Sequence, residues 1–210
     1  MQVLMIANSK GGVGKSTLAS NLVGMALEMG LTPLMVDLDR QRSLSNWAAR
    51  HGDLVPCLLE LPKNRRGLAK FGKPQVVIID TPAGLRGGAL DTALTVSDMV
   101  VVPTGAALVE LEATRKFIQR LRRKKKLING RADVLTVLNK IRPSATVADV
   151  MAEAEGQLNA PVAAWLPNAK TFEDQMAAGG FALQGRYGNM DLVTENLRRT
   201  LEYTGVRLPA

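Results

Sequence analysis

The strongest chemical signal in this 210-residue chain is the run at residues 9–16, Ser-Lys-Gly-Gly-Val-Gly-Lys-Ser. Gly11, Gly12 and Gly14 would let backbone N–H groups approach anionic oxygens closely, and a helix opening at this point would add its positive dipole end. Lys15 would then neutralise the β and γ phosphates of a nucleotide. The Ser16 hydroxyl would serve as a Mg²⁺ ligand, because Mg²⁺ takes oxygen donors and is commonly shared between protein and phosphates. Val13 and Thr17 complete the set placed against the bound molecule. A turn that merely joins two elements is the alternative, and the Gly-Lys-Ser ending argues against it. Ser9 stands where such loops usually begin with Gly, and Lys10 adds a second cation. A second cation beside the phosphates would stabilise negative charge in a transition state.

Three further places carry candidate chemistry. The apolar run 76–79 delivers Asp80 to its end, the arrangement of a carboxylate that holds Mg²⁺ through water. Asp37 and Asp39 follow another apolar run, and a carboxylate near a γ-phosphate suits the placing of an attacking water. Asn139 closes a third run, and its amide can both donate to and accept from an adenine edge.

These residues need strands to carry them. Apolar runs at 3–7, 33–36, 75–79, 99–102, 133–138 and 162–165 read as strands, several of them rich in Val or Ile. Runs apolar on both faces belong in a parallel sheet covered by helices. Helical patterns at 15–29, 88–96, 109–127, 147–158 and 191–203 supply the cover. The alternation predicts an α/β fold, a doubly wound and mostly parallel sheet with helices on both faces, whose ligands sit beyond the strands' carboxyl ends. No repeat or linker interrupts it, so residues 1–210 are expected to form one P-loop domain.

Residues 10–16, Lys-Gly-Gly-Val-Gly-Lys-Ser, resemble the deviant Walker A loop of ParA/MinD-type ATPases. That resemblance implies a homodimer sandwiching ATP and Mg²⁺, with Lys10 reaching the partner's nucleotide and Lys10, Lys15 and Asp39 as the catalytic set. Residues 36–41 resemble the family's Asp-x-Asp-Pro-Gln segment, with Arg40 where Pro is common. By the same resemblance Asp39 orients or activates the attacking water, Asp37 supports the Mg²⁺ shell with Ser16 and Asp80, and residues 81–84 form the turn that senses the γ-phosphate. The loop bearing Asn139 would lie against the base, and Pro167, within a stretch continuing through 172–180, would flank it. The short ParA type is the nearest branch. Expected absences support it: no N-terminal helix-turn-helix, no amphipathic tail at 206–210 of the MinD kind, and a single Cys57, which excludes a bridging iron–sulfur cluster.

Composition bounds the remaining possibilities. Hydrophobic residues make up 46% and aromatics 4%, and no run approaches the roughly 18 to 20 uncharged apolar residues of a membrane span. A cytoplasmic, nucleoid-associated protein is expected. The lone Cys57 reads as a small buried hydrophobe, and His51, Trp47 and Trp165 as packing or loop residues. A net charge of +8 points to an anionic partner. Arg115, Lys116, Arg120, Arg122, Arg123, Lys124, Lys125 and Lys126 place eight cations in twelve residues at the end of one predicted helix. With Arg198 and Arg199 they suggest a surface for non-specific DNA, contacting phosphates without base readout. The expected activity is ATP hydrolysis stimulated by a ParB-like or other cargo adaptor, driving plasmid or chromosome partition or cargo positioning. The alternatives are a MinD-like regulator on anionic lipid, disfavoured by the tail, and a metabolic P-loop enzyme acting on a small molecule.

Overall fold

The computed structural model describes residues 1–50, 55–142, 146–167, 190–203 and 205. Among these lie strands β1 (Gln2–Ile6), β2 (Pro33–Asp37), β3 (Cys57–Leu58), β4 (Val76–Asp80), β5 (Met99–Thr104), β6 (Asp133–Ile141) and β7 (Val162–Pro167). They form one sheet in the order β3-β2-β4-β1-β5-β6-β7, with every neighbouring pair parallel. The six expected strands are all present, and the doubly wound α/β prediction holds. His51 and residues 168 and 172–180 lie outside the described residues.

Parallel pairing puts every carboxyl end on one edge. Ile6 and Asp37 both pair in register with Asp80, and Thr104 pairs with Leu138. Sequence runs that end in a functional residue therefore converge there. Alternation along each strand then sends side chains to opposite faces. Leu4 and Ile6 join the core under α1 (Lys15–Glu28) and α2 (Ser43–Ala48), which also takes in Leu201 of α8 (Met190–Tyr203). Met5 and Ala7 face the other way, onto α4 (Gly87–Val96) and α5 (Leu108–Arg122). Val76, Val77, Ile78 and Ile79 are fully buried, each worth roughly 1.5–3 kcal/mol relative to exposure. The centre of the sheet is a stiff mount for its carboxyl edge.

Between β2 and β4 the structure adds α2, β3 and α3 (Arg65–Ala69), which the sequence reading passed over. Elements this short hold too few residues to display a periodicity. The helix expected over 109–127 is also corrected. Lys124 is extended, with ψ of 136°, and separates α5 from α6 (Lys125–Ile128). Like charges one turn apart, Arg120 with Lys124 and Arg122 with Lys126, disfavour continuing the helix, and Lys124 instead pairs with Asp91 of α4 at 2.8 Å. After β6, α7 (Val147–Leu158) packs with α5 over the end of the sheet that carries β6 and β7.

Candidate nucleotide site

The loop between β1 and α1 is shaped by two glycines. Gly12 and Gly14 have φ of 73° and 86°, a region L-residues with side chains enter only at a cost. Gly14 caps α1, and a Cβ on it would lie 2.2 Å from Asn139 Nδ2. Asn139, at the end of β6, donates through that nitrogen to the Val13 carbonyl at 2.9 Å and accepts from the Lys140 amide at 2.9 Å. The amide expected against adenine thus braces the loop through one of its donors and one of its acceptor sites.

Lys15 is buried at the start of α1, and its Nζ reaches the Lys10 carbonyl at 3.5 Å. Burial lowers its pKa, while Asp80 and Asp39 act in the opposite direction. Asp80 is fully buried at the end of β4, and neither carboxylate oxygen has a hydrogen-bond partner. Burial pushes its pKa up to about 7; the neighbouring Ser16 hydroxyl tempers that rise, the nearby Asp37 adds to it, and Lys15 opposes it. Orphaned oxygens beside a hydroxyl and an ammonium fit a Mg²⁺ site. Among the described residues no three His, Cys, Asp or Glu groups converge on one point, which suits an ion held largely by water and phosphate oxygens.

Asp37 is also fully buried, but its oxygens are occupied. Oδ1 accepts from the Asp39 amide at 3.0 Å and Oδ2 from the Ser45 amide at 2.8 Å, so it shapes the β2–α2 turn. Arg42, left-handed at φ of 56°, donates to the Asp37 carbonyl at 2.8 Å. Asp39 is half-buried and accepts from the Gln41 amide at 3.0 Å. Thr81 ties β4 to β1 by donating to the Ile6 carbonyl at 2.8 Å, and the Gly84 amide donates to the Asn8 carbonyl at 3.3 Å. Cys57 is half-buried and its thiol is pushed up to about 12, chiefly by burial, while Trp47 and Trp165 are buried as expected.

Two polar residues escaped the sequence reading. Asn8 is buried directly after β1 and donates to the Pro103 carbonyl at 2.8 Å and to Thr114 Oγ1 at 3.0 Å. It also accepts from the Lys10 amide at 3.2 Å. A lone Asn after an apolar run was the available signal. Glu110, in the first turn of α5, pairs with Lys10 Nζ at 2.9 Å; on sequence alone it reads as an ordinary acid at a helix start. Pro167 is buried at the end of β7, in register with Ile141.

The basic residues lie elsewhere. The end of α5 is ~21 Å along the helix axis from its start near the carboxyl edge. Lys126 Nζ donates to the Thr95 carbonyl at 3.0 Å, and Arg122 to the Asn159 carbonyl. Arg120 covers the Phe117 ring at 5.5 Å. Arg123 and Lys125 are exposed, as are Arg115 and Lys116. Arg198 and Arg199 are exposed on α8, with Arg199 paired to Glu195 at 2.9 Å. The α8 pair sits on the opposite face of the sheet from α5, so the single surface expected from sequence is divided in two within one protomer.

A parallel sheet with a glycine loop, a buried lysine and an orphaned strand-end carboxylate defines a P-loop nucleotide-binding protein. Residues 4–180 match the CobQ/CobB/MinD/ParA nucleotide binding domain model, and the chain belongs to that family. It is 35% identical over 122 residues to the maintenance of carboxysome distribution protein A of Gloeobacter kilaueensis, a match spanning 57% of this chain and 56% of that protein. It is 27% identical over 185 residues to the chromosome-partitioning ATPase Soj of Thermus thermophilus, covering 72% of this chain and 74% of the other. The MinD cell division protein of Aquifex aeolicus superposes with a TM-score of 0.76 at 18% identity, over 100% of this chain and 99% of that one. At that identity the likeness is one of fold.

Proposed function

We propose that this chain is an ATPase that binds Mg²⁺-ATP at the carboxyl edge of the sheet and pairs with a second copy around the nucleotide. The dimer binds DNA non-specifically, and a cargo-bound adaptor triggers hydrolysis. The observation that carries the reading is Asp80, a buried carboxylate with no protein donor, set between Lys15 and Ser16 of a phosphate loop. The loop amides and Lys15 bind the phosphates, Ser16 and Asp80 hold the metal's shell, and Asp37 fixes the backbone that presents Asp39. Bound Mg²⁺ supplies charge neutralisation at the phosphates. Asp39 orients a water for attack on the γ-phosphorus; the bond to the β–γ bridging oxygen breaks, ADP leaves, and the water's protons end on phosphate or solvent. Lys10 acts across the dimer on the partner's nucleotide. The cargo is of the kind that the similar proteins serve, a chromosome, plasmid or carboxysome.

The test is binding to random-sequence duplex DNA with ADP, ATP and a slowly hydrolysed ATP analogue, across a salt series and with Lys10→Ala as control. Salt-sensitive binding that requires ATP and disappears in the variant is expected; binding in no nucleotide state would overturn the DNA step. Ile128 is 68% exposed beside the α6 lysines, which favours one second reading, an anionic lipid surface. Sedimentation with liposomes and ATP distinguishes the two.

A further inference from the structure

Lys10 is the one phosphate-loop cation that the structure turns away from the loop. Lys15 Nζ points back to the loop carbonyl of Lys10, whereas Lys10 Nζ lies 2.9 Å from Glu110 Oε1 on α5. Both side chains are about one-third exposed, at 38% and 29%. Glu110 occupies a seat that the fold keeps open. A Cβ on Gly105 would stand 1.9 Å from Glu110 Oε2 and 2.9 Å from its Cδ, so any residue larger than glycine must shift the carboxylate from this position. The seat borders a cavity of about 400 Å³ lined by Gly12, Val13, Gly105, Glu110, Asn139 and Arg142. Asn8 anchors the Lys10 amide from below and binds Thr114 on the same helix as Glu110. Loop and α5 are thus tied together by backbone and side chain.

We propose that Glu110 is a positioning residue that holds the Lys10 ammonium on its own subunit, so that a partner's nucleotide phosphates must displace this carboxylate before Lys10 can act in trans. The inference rests on the dimer reading given above. Each subunit would contribute one such pair, so forming the dimer breaks two. Glu110 then sets the concentration at which ATP assembles the dimer, and keeps Lys10 from seeking other anions while the subunit is alone.

Two variants test it. Glu110→Gln removes the charge, and Gly105→Ala pushes the carboxylate off its present position while leaving it in the chain. Dimerisation with a slowly hydrolysed ATP analogue is followed by sedimentation velocity. Both variants should dimerise at about three- to tenfold lower protein concentration than wild type, from the modest strength of an exposed ion pair counted twice. Monomer affinity for ADP and the melting temperature serve to separate this from a general structural effect: the first should hold, and the second should fall by no more than the about 1–2 °C that one exposed ion pair is worth. A second readout is the rate of amine labelling at Lys10 in the nucleotide-free monomer, read by mass spectrometry, which should rise in both variants. A wild-type dimer with unchanged or weaker dimers in the variants would overturn the inference and leave the dimer reading standing. Labelling unchanged in both variants would overturn it independently. Monomers in every case would remove both the inference and the reading beneath it.

Discussion

Asp80 is buried with two oxygens that no protein donor satisfies, and such a carboxylate costs the nucleotide-free fold stability. Its pKa is raised to about 7 from an ordinary 3.8, so between those values the folded state binds more protons than the unfolded one. The sign follows: stability from this group is fully present below about pH 4 and is lost as pH rises through about 7. Asp80→Asn should therefore stabilise the nucleotide-free protein by about 1–3 kcal/mol near pH 8, and its advantage over wild type should shrink toward pH 5. Melting curves across pH check this, and a constant difference would remove the orphaned-charge account. The same variant should lose Mg²⁺-dependent turnover. Asp39→Ala, by contrast, should bind nucleotide normally and slow hydrolysis by on the order of 100-fold; normal single-turnover rates would assign the water to another group.

At the scale of elements, Asn139 shows how β6 holds the loop after β1. Asn139→Ala would leave the Val13 carbonyl unpaired, costing about 1–3 kcal/mol, and would loosen the loop before nucleotide arrives. Affinity for ATP and for GTP should fall by the same factor in titrations, because the amide serves the backbone; a loss confined to ATP would restore it to the base. The sequence shows where this residue lies but not that its amide braces the loop, for a physical reason. Apolar runs ending at Ile6, Asp80 and Asn139 reveal parallel strands and thus a shared edge, while the hydrogen-bond partner of an amide depends on a residue 126 positions away. The phosphate loop was legible because its chemistry is contiguous. Glu110 was not, since the ion pair with Lys10 spans 100 positions and nothing local separates it from an acid placed against a helix dipole. The α5–α6 break was equally hidden, because Lys124 leaves the helix to meet Asp91 on α4.

Across the whole molecule, the basic residues and the nucleotide site occupy different parts of the sheet. Cations at the far end of α5 cannot touch the phosphates of bound ATP, so in the proposed dimer nucleotide acts on DNA affinity by bringing two copies' patches onto one duplex. The two sets of cations also differ in readiness. Arg199 is already paired with Glu195; at the α5–α6 end Lys124 is paired with Asp91 and Lys126 donates to the Thr95 carbonyl, while Arg123 and Lys125 are exposed. The α5–α6 end presents more exposed cations than α8, so in the DNA-binding reading it is the face expected to carry the phosphate contacts. In the DNA assay, Arg123→Ala and Lys125→Ala should each flatten the dependence of log affinity on log salt by about 0.9 per lost contact on each subunit, without altering preference between sequences. Arg198→Ala should leave that slope nearly unchanged. A flattened slope in Arg198→Ala and an unchanged one in the α5–α6 variants would move the duplex to the α8 face, and place the dimer's DNA groove on the side of the sheet covered by α1.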